Sequence, residues 1–384
     1  MEPTSADIVF VTNIPTPYRT AFFNVLSDAC IERGRRLAVL YCARTEPRRD
    51  WDFHRAENQY PYAFLPGVAP TVRNITLPVN LTINARLAAL SPKIVVHAGA
   101  WVMPTNIVSL FGSRRDTATR LFWSEGHADA VRNSSGPIAA FRHKVLGRFD
   151  GFVVPNRKSA AWLSHEGAGN RPVHFLPNTV DEAFYTLDRS TRDVRAAARA
   201  ALGIAAHERV VVQVAALVPR KGPVELAQAF ARLPEQMRAT ARLVFVGDGE
   251  LRGQVEAIGT TLGNDRITVT GNIKREGVRS WLAAANAFAL NTRVDPNPLS
   301  PIEASFAGLP LLLSRRAGNF DEMVGSLGTG FAIDDCSHPD AALEALFSRP
   351  ADQLENLGRA AQSNATLHFT RGAIVSALLD SLRL

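Results

Sequence analysis

Two carboxylates, Asp295 and Glu303, bracket a loop of seven residues in the last third of the chain. The loop follows a buried apolar run, Ala287–Leu290, and is rich in proline and asparagine. A helix is predicted beyond it, because Ser300 suits the N-cap, Pro301 suits the first helical position and Glu303 completes a capping box. One carboxylate therefore precedes the helix, and the other lies in its first turn.

A strand, a loop, a helix N-terminus and a further strand at 309–313 form the layout of a phosphate site in an open α/β sheet. The free N–H groups near Leu299 and Ser300 are expected to point out of the carboxyl edge of the sheet. Glu303 lies one turn further in, within reach of a sugar hydroxyl. A simpler interpretation is that Glu303 only caps its helix and Asp295 only begins a turn. The spacing alone leaves both interpretations open.

Two neighbouring cations, Arg220 and Lys221, precede a helix that is predicted to begin at Pro223. Basic side chains oppose the helix dipole at an N-terminus unless an anion is bound there. The pattern therefore favours an anion site over two solvated cations.

Polar residues also follow the predicted strand at 120–123, where Glu125 and His127 stand two positions apart. The carboxyl ends of strands are where α/β folds place their chemistry. A surface histidine on a loop is the alternative for His127, and the sequence leaves it open.

Apolar runs that alternate with helical patterns show how these residues are positioned. Strands are predicted at 8–12, 37–42, 93–97, 209–215 and 242–246. Strands separated by helices predict mainly parallel sheets. A chain of 384 residues suggests two domains. We predict them at 1–180 and 181–365, with a C-terminal helix at 366–384 as a candidate to cross back to the first domain.

Composition indicates a globular cytoplasmic protein, with 46% hydrophobic and 21% charged residues. The sequence has no run of about 18 apolar residues, so no membrane-spanning helix is predicted. The acidic start of the chain does not resemble a signal peptide. Three scattered cysteines indicate free thiols in a reducing compartment.

The net charge of +7 is concentrated in residues 1–190, which hold 22 Lys and Arg against 16 Asp and Glu. A predicted helix at 138–149 has an apolar face with Ile138 and Phe141 and a basic face with Arg142 and Lys144. Such a helix either packs on its own sheet or lies on an anionic membrane surface. Nucleic acid is not an expected partner, because no basic run is interleaved with aromatic residues.

Several motifs together resemble a known family. The chain has VGDGEL at 246–251, GNI at 271–273, a PNTVD hinge at 177–181 and the Asp295–Glu303 spacing, which is similar to an EX7E element. This set resembles the retaining GT-B glycosyltransferases, most closely glycosyltransferase family 4, also called glycosyl transferases group 1. The resemblance is strong over 210–333 and fainter over 8–181.

The resemblance implies a GT-B fold, in which two Rossmann-like domains face each other across a cleft. It implies transfer of a sugar from a nucleotide-diphosphate sugar to a glycan or lipid-linked acceptor, with retained configuration, in the synthesis of cell-surface polysaccharide or glycolipid. No metal cofactor is implied, since cationic side chains serve the diphosphate. An Asp-x-Asp pair at 50–52, typical of metal sites in the other glycosyltransferase fold, is interpreted as a chance match.

The resemblance also assigns expected roles to residues of the chain. Lys221 and Arg220 neutralise the leaving diphosphate, Glu303 takes the ribose hydroxyls, Asp295 lies near the transferred sugar, and either Glu125 or His127 lies near that sugar as well. The expected nucleotide contacts are completed by Gly247, Gly249, Gly271, Asn272, Ile273, Leu299 and Ser300.

One departure from the family pattern keeps two alternatives open. In the family, an arginine that follows a glycine binds the donor diphosphate. Here Ala215 replaces that glycine and Ala216 replaces that arginine, and Arg220 is a candidate to supply the missing charge. A nucleotide-sugar epimerase on the same fold, or an inactive GT-B binding protein, would fit this departure. A donor-hydrolysis assay separates the three.

Overall fold

The structure is a computed structural model that describes residues 2–45, 57–72, 75–112, 117–128, 135–188, 192–262 and 266–384. The Asp-x-Asp pair at 50–52 lies outside the described residues. The chain forms two compact units, the first made of Met1–Thr179 and Arg371–Leu384 and the second of Val180–Thr370.

Strands and helices alternate along most of the chain. The strands are β1 (Ile8–Thr12), β2 (Leu37–Tyr41), β3 (Tyr62–Phe64), β4 (Thr71–Val72), β5 (Ile75–Thr76), β6 (Ile94–Ala98), β7 (Thr119–Trp123), β8 (Gly151–Val154), β9 (Val173–Phe175), β10 (Arg209–Val214), β11 (Ala241–Val246), β12 (Ile267–Val269), β13 (Ala287–Leu290), β14 (Leu311–Ser314) and β15 (Gly330–Ile333). The helices are α1 (Pro17–Glu32), α2 (Ile83–Leu90), α3 (Pro104–Phe111), α4 (Gly136–Leu146), α5 (Arg157–Leu163), α6 (Glu182–Tyr185), α7 (Arg192–Ala201), α8 (Pro223–Arg232), α9 (Glu235–Arg238), α10 (Arg252–Thr261), α11 (Arg275–Ala284), α12 (Ser300–Phe306), α13 (Phe320–Met323), α14 (Asp340–Ser348), α15 (Ala351–His368) and α16 (Arg371–Ser381). Among the helices in the described ranges, none has the length and apolarity that a bilayer span needs.

The first unit is built on a parallel sheet of seven strands in the order β3-β2-β1-β6-β7-β8-β9. Every residue of β1, β2 and β6 is buried, as expected for strands covered on both faces. One face packs against α1 and α16, whose buried side chains include Phe23, Leu26, Leu378 and Leu379. The C-terminal helix therefore belongs to the core of the first unit.

The second unit has a parallel sheet of six strands in the order β12-β11-β10-β13-β14-β15. Helices cover both faces, with Leu282 of α11 and Ile302 of α12 on one side and Leu226 of α8 and Leu343 of α14 on the other. The predicted α/β class, with a Rossmann-like parallel sheet in each domain, is confirmed in both units.

Strand order reverses at one point in each of these sheets. In the first unit the chain leaves β1, builds β2 and β3 on one side, and returns to place β6 on the other side of β1. In the second unit β10 is followed by β11 and β12 on one side and by β13 on the other. Such switch points open a crevice at the carboxyl edge of a sheet, where ligands of α/β proteins bind.

The prediction for the faces of the basic helix was partly wrong. Arg142, placed on the solvated face, is buried and pairs with Glu166, whereas Ile138 and Phe141, placed on the packed face, are 51% and 43% exposed. Val145 is fully buried, so the helix packs by a face rotated from the predicted one. The physical reason is that a carboxylate from a later segment satisfies the arginine, which no helical wheel can show.

Candidate functional site

The loops that follow β10 and β13 meet at the switch point of the second unit. The backbone carbonyl of Arg220 accepts three hydrogen bonds from the second loop, from the Thr292 hydroxyl at 2.9 Å, the Arg293 amide at 2.7 Å and the Val294 amide at 3.5 Å. The Asn291 amide nitrogen donates to the carbonyl of Gly222 at 3.2 Å. These contacts fix the two loops against each other.

Lys221 and Asp295 form a buried ion pair between these loops, with the lysine Nζ donating to Oδ2 of the aspartate. The two residues are only 8% and 9% exposed. Burial lowers the pKa of Lys221 below its usual value, and the neighbouring Arg220 acts in the same direction, while Asp295 opposes both. Two residues with separate predicted roles are thus brought into one contact.

Arg220 itself contributes in two ways. Its backbone carbonyl anchors the loop after β13, and its side chain is exposed at the same edge of the sheet. Ala216, which occupies the family's arginine position, is exposed as well. Arg220 therefore places an exposed positive charge at this edge of the sheet, whereas the side chain of Lys221 is buried there.

Gly247 and Gly249 allow the loop after β11 to run against the loop after β10. Their φ angles are +148° and +157°, and a Cβ atom at either position would lie 2.1 Å from the carbonyl oxygen of Ala215 or 2.5 Å from that of Leu217. No side chain fits in that space. The two predicted glycines therefore serve the close packing of two loops at the edge.

The predicted GNI segment follows β12, at the end of the sheet. Gly271 forms an antiparallel bridge with Gly247, so the loops after β11 and β12 are also joined. Asn272 is exposed and Ile273 is partly buried. These residues share the carboxyl edge with Lys221, but β12 and β10 are separated by β11.

The start of α12 differs from the prediction. The helix begins at Ser300, Leu299 takes the N-cap position, and no side-chain cap is present. The predicted capping box is therefore wrong. Glu303 makes a tertiary contact instead of a local one, which is why the local pattern misled.

The Tyr185 side chain of α6 lies next to the carboxyl of Glu303. Burial raises the pKa of Glu303 to about 7, although the neighbouring Tyr185 hydroxyl and the nearby charge of Arg275 oppose this shift. Burial and the adjacent carboxylate raise the pKa of Tyr185 in turn. The carboxyl of Glu303 therefore changes charge near neutral pH.

The short helix α6 is held in place by several contacts. Asp181 accepts a hydrogen bond from the Phe184 amide at 3.2 Å and caps the helix. Arg275 donates to the other oxygen of Asp181 at 2.8 Å and stacks on the Phe184 ring at 3.7 Å. Tyr185 and Arg275 were not predicted as site residues, because nothing in the local sequence indicates that α6 lies beside Glu303.

The two candidates of the first unit lie in different environments. Glu125 is exposed after β7, whereas His127 is 4% exposed. Arg19, at the start of α1, donates to the Thr12 hydroxyl at 2.6 Å and lies 4.8 Å above the Trp123 ring. The exposed carboxylate is open to a ligand from solution, and the choice between Glu125 and His127 stays a prediction.

Comparison with known proteins identifies the domain that carries the site. Residues 194–364 match the family model described as glycosyl transferases group 1. This region includes Lys221, Asp295 and Glu303. The predicted resemblance to glycosyl transferases group 1 is confirmed, and the matched residues lie within the second unit.

Two curated relatives show how far the similarity extends. The D-inositol 3-phosphate glycosyltransferase of Mycobacterium avium is 29% identical over 197 residues, which is 49% of this chain and 45% of that protein. The chain thus matches less than half the length of this relative. The GDP-mannose-dependent alpha-(1-6)-phosphatidylinositol monomannoside mannosyltransferase of Mycolicibacterium smegmatis is 28% identical over 71% of this chain and 72% of its own length.

A solved structure extends the likeness to the whole chain. Anabaena Alr3699/HepE, determined in complex with UDP-glucose, superposes with a TM-score of 0.67 and covers 98% of this chain and 99% of its own, at 16% identity. At this identity the match concerns the fold, and it supports the GT-B class predicted from the sequence.

Breaking the Lys221–Asp295 pair is expected to destabilise the second unit. Lys221→Met or Asp295→Asn alone leaves one charge buried without its partner, which costs about 3–5 kcal/mol. The double variant buries no charge and should lose less than the sum of the single losses. Urea unfolding of the wild type, the two single variants and the double variant measures the coupling energy between Lys221 and Asp295. The exposed pair Arg232–Asp340 is the control, with an expected coupling of about 0–1 kcal/mol; equal coupling in both pairs would contradict the assignment.

Glu303 should make stability fall as the pH rises. Because the folded state holds the Glu303 proton more tightly than the unfolded state, unfolding releases a proton between about pH 4.5 and 7, and stability declines through this window. Glu303→Gln removes this contribution. The free energy of unfolding of the variant, relative to that of the wild type, should therefore rise by on the order of 2 kcal/mol from pH 5 to pH 8. Urea midpoints at both pH values test it, with exposed Glu344→Gln as the control. A constant difference between Glu303→Gln and wild type would refute the shift.

Proposed function

We propose that this chain, which carries a glycosyl transferases group 1 domain, transfers a sugar from a nucleotide-diphosphate sugar to a hydroxyl of a glycan or lipid-linked acceptor, with the anomeric configuration retained. The observation that carries the proposal is the placement of Lys221, Asp295 and Arg220 at the switch point of the second sheet, with Glu303 in the first turn of α12. A switch point with cations and a carboxylate suits a ligand that has both phosphates and hydroxyls.

The proposed reaction is a displacement at the anomeric carbon in which the acceptor oxygen approaches the same face that the diphosphate leaves, so the configuration is retained. The acceptor oxygen bonds to that carbon, the bond from the carbon to the diphosphate oxygen breaks, and the hydroxyl proton passes to the departing diphosphate. Negative charge grows on the diphosphate as the bond breaks. Lys221 and Arg220 stabilise that charge, and no metal ion is required in this proposal.

Asp295 competes with the donor diphosphate for the ammonium group of Lys221. In the free chain Asp295 neutralises Lys221. A diphosphate that approaches the pair attracts the ammonium group and stabilises its charged form against burial. Asp295 then lies beside the transferred sugar, which is the role that the family resemblance implies for it.

Glu303 is proposed to bind the ribose of the donor. A carboxylate accepts two hydrogen bonds from adjacent hydroxyls, and charge-assisted hydrogen bonds are about twice as strong as neutral ones. The Tyr185 hydroxyl lies beside this carboxyl and limits the space around it. The nucleotide contacts are completed by Gly247, Gly249, Gly271, Asn272, Ile273, Leu299 and Ser300.

The relatives support the donor and the acceptor class. One relative is named as dependent on GDP-mannose and as acting on a phosphatidylinositol mannoside, and the structural neighbour was solved with UDP-glucose. Cys30, Cys42 and Cys336 are buried free thiols, as suits the reducing cytoplasm in which we place the reaction. We propose a role in the synthesis of cell-surface polysaccharide or glycolipid.

The transferase is favoured over the epimerase and over an inactive binding protein. The two curated relatives are named as transferases. Ala216 is the best support for an inactive protein, but Arg220 provides a cation at the same edge. Incubation with a panel of nucleotide sugars distinguishes the three: slow release of nucleoside diphosphate with free sugar supports a transferase, an epimerised sugar supports the epimerase, and binding without turnover supports the inactive protein.

Nucleotide binding should raise the melting temperature. A ligand at a hundred times its Kd stabilises the folded state by about 2.7 kcal/mol, which is roughly 5–10 °C for a domain of this size. UDP, GDP and their sugars are the ligands to test by thermal shift. Glu303→Gln should weaken binding by about tenfold or more, because a charged hydrogen-bond acceptor is lost, whereas Glu344→Gln should not. If millimolar nucleotides leave the melting temperature unchanged, the donor site is wrongly assigned.

We also propose that the first unit contacts an anionic membrane surface. Ile138 and Phe141 of α4 are exposed on one side of the helix, and Phe141 packs edge-on against Trp101 at 6.0 Å. Lys144, one turn further on, is exposed beside them. Exposed aromatic and aliphatic side chains next to basic ones are typical of helices that lie in a membrane interface. Arg142 takes no part, because it is paired with Glu166.

Removing this apolar group should weaken vesicle binding. The double variant Ile138→Ser/Phe141→Ser loses two side chains that would enter the interface, so flotation with phosphatidylglycerol vesicles should fall by about tenfold or more. Ile31→Ser removes an isoleucine of α1 that is 68% exposed and serves as the control. High salt should weaken the wild-type association as well. The proposal fails if the wild type does not float at low salt, or if both variants float alike.

A further inference from the structure

The loop between β13 and α12 contains a buried amide without a hydrogen-bond partner. Asn297 is 8% exposed, and neither its Oδ1 nor its Nδ2 atom has a hydrogen-bond partner among the described residues. A buried polar group that stays unpaired carries a free-energy cost, so each example in a native protein requires an explanation. A ligand that completes the hydrogen bonds is one such explanation.

The loop holds Asn297 rigidly. Pro296 and Pro298 flank it, which fixes the backbone of both neighbours and restricts Asn297 itself to extended conformations. On one side the carbonyl of Asp295 accepts from the Gly318 amide at 2.8 Å, and on the other the carbonyl of Pro298 accepts from the Asn319 side chain at 2.9 Å. The loop cannot easily shift to bring a protein partner to the amide, so the unpaired state is built into the site.

Two other buried amides show that Asn297 is in a special position. Asn291 has its nitrogen bonded to the carbonyls of Gly222 and Cys336, which gives it a structural role. Gln213 has no partner for either amide atom among the described residues, but it is fully buried inside β10, away from any ligand in solution. Asn297 lies on the loop at the carboxyl edge, two residues from Asp295.

We propose that the side-chain amide of Asn297 binds a hydroxyl group of the transferred sugar and so selects among donor sugars. An amide offers an acceptor oxygen and two N–H donors, and a hydroxyl both donates and accepts. A phosphate only accepts, and would leave Oδ1 unpaired. The segment expected to meet the base, 271–273, follows β12, which is three strands away from β13, or roughly 14 Å at about 4.8 Å per strand.

This inference rests on the proposed function, and a binding experiment separates the two. Asn297→Leu replaces the amide by an apolar group of similar size. The variant should bind UDP and GDP within about twofold of the wild type, because they lack the sugar. Its affinity for the preferred nucleotide sugar, among UDP-glucose and GDP-mannose, should fall by about tenfold or more. Isothermal titration calorimetry measures each Kd, and Asn356→Leu, at an exposed position, is the control.

The melting temperature of the free protein provides a second readout. Since the free chain loses no hydrogen bond, Asn297→Leu should melt no lower than the wild type. A merely structural asparagine would instead lower the melting temperature and leave the ratio of nucleotide-sugar to nucleotide affinity unchanged, and either result overturns the inference. If the wild type binds no nucleotide at all, the proposed function itself fails. If it binds them and Asn297→Leu binds the sugar form equally well, only the role of Asn297 fails.

A panel of donor analogues identifies the hydroxyl. Deoxy forms of the preferred sugar, each without one hydroxyl, are titrated against the wild type and Asn297→Leu. For the analogue that lacks the contacted hydroxyl, the two proteins should show equal affinity, because the contact is already absent. For the other analogues the tenfold difference should persist. A difference that persists for every analogue would contradict a direct contact with the sugar.

Discussion

The adjacency of β10 and β13 in the second sheet is the constraint on which the site depends. A parallel sheet that reverses its strand order brings the ends of two strands together, although the residues that follow them are far apart in the chain. Here it places Lys221 and Asp295 in contact across a separation of 74 positions. Neither charge could be buried alone, because an unpaired ion loses its hydration without compensation. The pair fixes the loop after β13, and through that loop the positions of Asn297 and α12.

Burial acts on two ionisable groups of the site in the free chain. Burial lowers the pKa of Lys221 and raises the pKa of Glu303, so both groups are shifted toward their neutral forms. In the proposed donor complex, a diphosphate would reverse the first shift by stabilising the ammonium ion, and ribose hydroxyls that donate to Glu303 would reverse the second. On this proposal, donor binding and ionisation of the two groups are linked, and each favours the other.

The parts of this structure that follow from local sequence could be predicted, and those that depend on distant contacts could not. Buried apolar runs separated by helical patterns have few arrangements other than a covered parallel sheet, so the fold class was accessible. Lys221 was expected near an anion because it precedes a helix, but its partner was not expected, since only strand order brings Asp295 to it. The cap at Ser300 was predicted from a local pattern that Tyr185 overrides.

The interruption of the first unit by the second has a consequence for synthesis on the ribosome. The sheet of the first unit is covered on one face by α16, which buries Ile374, Val375, Leu378 and Leu379. Residues 371–384 are made after the whole of the second unit. While the second unit, a single continuous segment, emerges and folds, the nascent first unit has to wait with that apolar surface uncovered. Exposed surface of this kind invites aggregation, so residues 371–384 complete a unit whose larger segment, 1–179, was made before the second unit.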